Sequence, residues 1–589
     1  MKIRVVSWIG TAALVLTTLS PLPLLAAPAS TPVSTPVSAP TSTPIIIDQG
    51  SKWTPSERKD FYSRDQGSQI MPLRWFQALK QPNGEPFMAA NLSRYGYLPN
   101  EASDPPGLPI GFTVATGSGV RQIGLTCSAC HTRQIEVAGA SYRIDGGPAI
   151  ADAQSLFADI DTAVNTVLTN QAAFTNFADA VLGPKAPADE RTKLRQEVAA
   201  WHLRYHTLMK GALPSPPWGP GRVDAVGMIF NRLTGLDIGP PPTYLIPKNI
   251  RPASAPARYP FLWNAPAQDK TQWPGFADNG DNILGLARNL GEVYGVFATI
   301  HPKKSWWRVL KVDYMANNSA NFPGLNALED LVWKIGPPKW PWEVNQALAS
   351  QGKEIFARTP EQGGCMSCHG IKPGQTRLFG QQTWATPILD VGTDSREYKI
   401  LDWTVETGVL KDAWIPLLKD PLKQVDTAFN VLSVTVIGSI LQYFAPITME
   451  VEGQLDAKGK LLSPFRSETE SLKGAYNRPA AKSAGPPYAY ESRVLEGIWA
   501  AAPYLHNGSV PTLAELLKPA AERVGSFKIG PSYDLVNIGL AAEQTKFDYT
   551  LKTTDCSDRD SGNSRCGHEY GTKLSPDEKT ALLEYLKTL

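Results

Sequence analysis

Two short frames hold most of the chemistry this chain can do. Cys127-Ser128-Ala129-Cys130-His131 and Cys365-Met366-Ser367-Cys368-His369 both read C-x-x-C-H, and together they use four of the six cysteines in 589 residues. Two thiols at that spacing can add to the two vinyl groups of one porphyrin. The histidine that follows then lies under the iron and donates an imidazole nitrogen. A zinc site would want a second C-x-x-C or a closely spaced histidine pair nearby, and neither motif stands beside the other. A thioredoxin-type redox pair has no need of histidine directly after the second cysteine in both copies. The sequence therefore predicts two covalently bound haem c groups, attached through Cys127, Cys130, Cys365 and Cys368, with His131 and His369 as iron ligands.

With those four thiols committed, Cys556 and Cys566 can pair only with each other. They would close a loop of nine intervening residues, worth about 2–3 kcal/mol in the loop-entropy account.

Each iron has one further axial position, and the group that fills it sets the function. A His or Met there gives a saturated electron-transfer haem, whereas an open position lets the iron meet peroxide or dioxygen. After Met449 the chain has no methionine, and beyond His369 its only histidines are His506 and His568. His568 lies seven residues before Ser575, on a loop that the disulfide would stiffen, and is the expected sixth ligand of the second iron. His506, in the turn Ala502-Pro503-Tyr504-Leu505-His506-Asn507-Gly508-Ser509, is the rival, as ligand or as a contact to a haem propionate.

For the first iron the spare candidates are His202, His206, His301, Met209, Met228 and Met315, none in a distinctive context. His202 and His206 share a helix face at i, i+4. That spacing can bind metal, but a solvated face is the preferred reading. An open first iron follows. Phe261 and Trp263, with Trp273 and Phe276, could wall an apolar distal pocket or simply pack a core. Peroxide chemistry would also need an acid/base group, for which Glu292 is one candidate.

The elements that must position these groups are mostly helical. Apolar periodicity predicts helices over 152–181, 190–209, 282–300 and 326–335. Eight prolines between Pro240 and Pro266 exclude a helix there. Val344, Leu348, Ile355 and Phe356 mark one face of a helix leading into the second motif, with Gly352 allowing another helix to approach. Ser575-Pro576-Asp577-Glu578 is a capping box opening the last helix. Domains are expected at 48–340 and 341–589.

Met1–Ala29 reads as a secretory signal: Lys2 and Arg4, then an apolar run from Val5 to Leu19, then small residues. Residues 30–47 read as a Pro/Ser/Thr-rich linker. Lys2 and Arg4 are the whole of the formal excess of +2, so the mature chain is neutral and offers nothing to attract nucleic acid. Ala428–Ala445 is uncharged but carries Asn430, Ser433, Thr435, Ser439 and Gln442, which suits a buried helix better than a membrane span. The expected location is the periplasm or the exterior.

A helix with Gly and Phe crossing a last helix with Tyr and Leu resembles the class I cytochrome c fold. Together with two C-x-x-C-H motifs and Pro503-Tyr504-Leu505-His506-Asn507-Gly508-Ser509, it resembles the bacterial di-haem cytochrome c peroxidase and MauG superfamily. The long first half and Gly567-His568-Glu569-Tyr570 look most like its RoxA-type branch, which includes rubber oxygenases. The resemblance implies a mainly α fold with long loops and two cytochrome c-like haem domains, the second of class I type. It also implies a His/His second haem and a first haem, on His131, that meets dioxygen. The implied activity is that of a haem-dependent oxidoreductase taking peroxide or dioxygen and exchanging electrons with a donor or acceptor protein. A non-enzymatic electron carrier and a dioxygenase cleaving an apolar alkene polymer are the alternatives.

Overall fold

In the computed structural model the structure describes residues 43–115, 119–306, 308, 310–377, 380–415, 418, 420–444 and 488–589. The signal reading and most of the linker lie outside them. The linker's expected end at 47 falls within ordered chain, because Ile45–Ile46 pair in parallel with Tyr142 and Arg143.

Helices follow the apolar periodicity, with adjusted ends. Thr54 caps α1 (Pro55–Ser63) in a capping box with Glu57. The pattern over 152–181 becomes two helices, α2 (Ala153–Thr169) and α3 (Gln171–Leu182). Asn170 separates them by capping α3 through its side chain, a role Asn fills well. α4 (Ala188–Ala212) packs on α2. α5 (Asn282–Gly295) and α6 (Phe322–Val332) lie against one another. The proline-rich stretch contains no α-helix, only 3-10 turns at Pro247–Asn249 and Ala265–Ala267 and a two-residue strand at Ala257–Arg258.

Near the first motif the chain forms strands that the Gly/Pro content concealed. β1 (Phe112–Ala115) and β2 (Gln122–Leu125) are antiparallel, with Phe112 opposite Leu125. The helical turn Cys127–Cys130 follows, and then the hairpin β3 (Thr132–Val137) and β4 (Ala140–Asp145). Gly111, at φ +80°, lets β1 meet this turn, since a Cβ there would lie 2.0 Å from Ala129 N.

The second motif is entered from α7 (Gln346–Phe356), which crosses the last helix, α9 (Pro576–Leu586). Ser575 and Glu578 form the capping box at the start of α9. At the crossing a Cβ on Gly352 would sit 2.0 Å from the Ala581 carbonyl oxygen, and Phe356 meets Tyr585 edge-on at 5.3 Å.

α8 (Ala428–Phe444) is buried in the core. Its polar residues are satisfied without water. Ser433, Thr435 and Ser439 donate to carbonyls four residues back, and Gln442 bonds Tyr314 N and Val312 O. Among the described residues no helix is long and apolar enough to cross a membrane.

Residues from Thr43 to Leu589 form one compact unit. One apolar cluster joins Trp53, Phe61 and Phe261 to Phe356, Trp499 and Leu582, so packing continues across the boundary expected at 340/341. Gly352→Ala should lower stability by about 1–3 kcal/mol, the usual cost of overpacking. Urea denaturation checks this, and an unchanged midpoint would show that the crossing has slack.

Candidate functional site

Each motif histidine is held by one hydrogen bond to a remote main-chain carbonyl. His131 Nδ1 lies 2.9 Å from Pro260 O, 129 residues on. His369 Nδ1 lies 2.7 Å from Arg493 O, 124 residues on. A carbonyl oxygen only accepts, so Nδ1 carries the proton and Nε2 keeps its lone pair. Metal-bound imidazoles are oriented in this way. Burial pushes the pKa of His131 down to about 4 and lowers that of His369, so both rings are neutral.

The four motif thiols form no disulfide. Burial raises Cys127 and Cys130 to about 12 and Cys365 to about 11. These are not the electropositive surroundings that keep a redox or zinc-binding cysteine as thiolate. Cys556 and Cys566 are joined in a disulfide.

The second motif opens on a cavity enclosing about 1280 Å³ of non-atom space, its mouth included, whose wall contains Cys365, Cys368, His369, His506 and His568. The His369 and His568 rings are 6.0 Å apart between centroids. Two metal–nitrogen bonds of about 2 Å plus two ring radii span about 6–6.5 Å, so one metal atom fits between them. Burial, then the neighbouring His369, pushes His568 down to about 3. His506 lies flat against Tyr490 at 3.9 Å and 12°, and so presents its ring as wall.

The cavity also contains two guanidinium groups, Arg258 and Arg493. Burial, then repulsion from Arg493, pushes Arg258 down to about 9. Arg493 has Glu491 at 3.5 Å, whereas Arg258 pairs with no carboxylate among the described residues. Glu491, also in the wall, is the one carboxyl among the described residues that acts on both guanidinium groups. Two buried cations sharing one carboxyl are under-compensated, and the two propionates of a haem would supply the missing charge, so the residues present fit that group.

His568 is positioned by its backbone. Its N–H donates to Val391 O at 2.8 Å. Arg523 donates to the carbonyls of Arg565, Gly567 and His568 at 2.7, 2.8 and 3.2 Å. Gly567, at φ +76°, packs so closely on Gly392 that a Cβ would lie 2.3 Å from its carbonyl carbon. Arg523 also donates to the nearby carbonyls of Lys518 and Leu516, but the three that tie it to the His568 loop lie more than 40 residues on, out of reach of a local sequence signal.

At the first motif, the ring of Tyr259 stands edge-on to His131 at 6.0 Å. Glu292 is the leading charged influence on Cys127, opposed by Arg288, and it also acts on Cys130. Its side chain is open on one side, yet the surrounding protein desolvates the carboxyl and raises its pKa.

The spare histidines are occupied elsewhere. His202 and His206 contact Asp161. His301 stacks on Tyr244 at 3.7 Å and meets Asn317 at 2.7 Å. Met209 and Met228 pack in the core, and Met315 lies against Asn318.

The four aromatics read as one distal wall are dispersed. Phe261 and Trp273 line the second cavity. Trp263 stacks on Phe261 at 4.7 Å and donates to Glu496 O. Phe276 packs edge-on against Phe429 of α8. Short range in sequence did not carry over to one face, because the intervening chain turns at Ala265–Ala267 and again in the β-pair at Lys270–Thr271.

One segment links the two motifs. Pro260 holds His131, and the next residue, Phe261, lies beneath the Arg493 guanidinium at 4.2 Å. Arg493 in turn holds His369.

A family described as RoxA-like, cytochrome c-like, matches residues 489–528. The matched stretch supplies Tyr490, Arg493, Tyr504, His506 and Leu513 to the second cavity. A cytochrome c-like domain is thus present near the C-terminus, and it implies haem c. Over 598 aligned positions the chain is 29% identical to uncharacterized protein y4iJ of Sinorhizobium fredii, covering 91% of this chain and 92% of that one. Uncharacterized protein y4iM of the same organism is 25% identical over 414 positions, 67% of this chain and 77% of its own length.

His568→Ala should convert the second haem from low-spin to high-spin, seen in the electronic spectrum of the ferric protein. His506→Ala should leave that haem low-spin. The opposite pattern would make His506 the ligand.

Proposed function

We propose that this chain is an exported di-haem c-type cytochrome acting as a haem-dependent oxidoreductase. The first haem meets a small oxidant, peroxide or dioxygen, and the second passes electrons. The observation that carries this reading is the asymmetry of the two histidines. His369 faces a second imidazole across its cavity, while each histidine outside the motifs lies at the second cavity or in other contacts.

Cys127, Cys130 and His131 would hold the first haem, and Cys365, Cys368, His369 and His568 the second. A haem c in each place supplies an iron that changes oxidation state by one electron. The protein's part is to orient the imidazoles, exclude water and place charge. Pro260 and Arg493 set the ring orientations. Arg258 and Arg493 supply positive charge for propionates. Glu292, with its raised pKa, can hold a proton beside the first centre. The segment Pro260-Phe261 and Arg493 join the two motif histidines through a series of direct contacts, a route by which electrons from a donor or acceptor protein would reach the first centre.

A second reading, a dioxygenase that cleaves an apolar alkene polymer, draws on the RoxA-like match. That match covers the wall of the second cavity, so it speaks to the second haem more than to the reacting one.

Two measurements separate the readings. Carbon monoxide titration of the reduced protein should saturate at one equivalent per two haems. No binding at all, with two low-spin ferric signals in electron paramagnetic resonance, would make the chain a pure electron carrier. If peroxide is the oxidant, Glu292→Gln should slow turnover roughly 10²–10⁴-fold, the span of general acid–base contributions. Unchanged peroxide turnover, together with aldehyde release from polyisoprene, would favour the dioxygenase.

A further inference from the structure

We propose that Asp161, His202 and His206 form a binding site for a divalent first-row transition metal that joins α2 to α4, separate from both haem motifs. His202 and His206 stand one turn apart on α4, with ring centroids 5.2 Å apart. Asp161 reaches them from α2, with Oδ1 3.0 Å from His202 Nε2 and Oδ2 2.8 Å from His206 Nδ1. The three donor atoms lie within 4.8 Å of one another.

An ordinary Asp–His network would place a hydrogen bond on each imidazole. Only His206 makes one. His202 Nε2 and Asp161 Oδ1 are buried, 3.0 Å apart, and have no hydrogen-bond partner, because their contact lacks hydrogen-bond geometry. Two buried polar atoms this close without a well-formed hydrogen bond between them are costly. A cation at the point both address removes that cost.

Two imidazoles and one carboxylate form an N₂O set, which suits zinc, copper or nickel better than calcium or magnesium. Two histidines at i, i+4 on one helix are a recurrent zinc arrangement. The side chains of His202 and Asp161 are 12% and 17% exposed, whereas that of His206 is 47% exposed. The ion therefore has an entry from solvent, and three protein ligands leave a position for water. To ligate through Nδ1, His206 would take the tautomer whose single N–H is on Nε2.

The probe is Zn²⁺, titrated calorimetrically into the haem-loaded full chain after chelator treatment. One equivalent should bind to the wild type, and His206→Gln and His202→Gln should each weaken it at least tenfold while the haem spectrum stays unchanged. Identical isotherms in wild type and variants would overturn the site. Should a variant fail to fold, hydrogen exchange on the wild type decides: Zn²⁺ should slow exchange of α2 and α4 amides near Asp161 and His202, and no protection there overturns the proposal.

Discussion

Both centres depend on the hydrogen bond from a buried imidazole Nδ1 to a main-chain carbonyl. Without it each ring could rotate or exchange tautomers, and Nε2 would have no fixed direction. Each acceptor lies more than 120 residues beyond its histidine, so neither centre exists until distant segments have packed. The acceptors are backbone atoms, which no side-chain substitution can delete. Their two segments also touch, through Phe261 and the guanidinium of Arg493. A shift at one centre is thereby felt at the other, and the boundary expected between two domains runs through packed side chains.

The second cavity concentrates cationic charge in an apolar wall. Arg258 also lies over Trp273 at 4.8 Å, so each guanidinium rests on an aromatic face, which partly offsets its lost hydration. The same residues that fix the wall carry the charge. Around the first motif the charges are mixed: Glu292 and Glu329 are both felt at Cys127, with Arg288 opposing them, while Arg493 and Arg288 are felt at His131. The two motifs repeat one sequence frame but not one electrostatic setting.

What was legible in the sequence was local. The C-x-x-C-H frames, the capping box at Ser575, the glycine at the α7–α9 crossing and the buried character of α8 each depend on residues within a turn or two. The Cys556–Cys566 pair was legible by elimination. Pairings made over a hundred residues were not, which hid Pro260 and Arg493 as acceptors. Asp161 was hidden for a related reason: His202 and His206 were visible as a pair, but their partner comes from another helix. The strands β1 and β2 were masked by the glycine and proline residues around them. Phe261, Trp263, Trp273 and Phe276 looked like one wall because they are close in sequence, while the loop between them sends them to different cores.

His568 shows a second way to hold an imidazole. Its Nδ1 is buried without a partner, so no hydrogen bond to the ring sets its direction. The constraint is placed on the main chain instead. His568 sits at φ +52°, in the left-handed region, which a non-glycine residue occupies only where surrounding contacts enforce it. The disulfide two residues before it, the three carbonyls gathered by Arg523 and the tight seat of Gly567 on Gly392 supply that enforcement. A loop histidine held through its backbone needs more of the fold around it than a motif histidine held through its ring. This accounts for the clustering of a disulfide, a buried arginine and a close-packed glycine around one short stretch of chain.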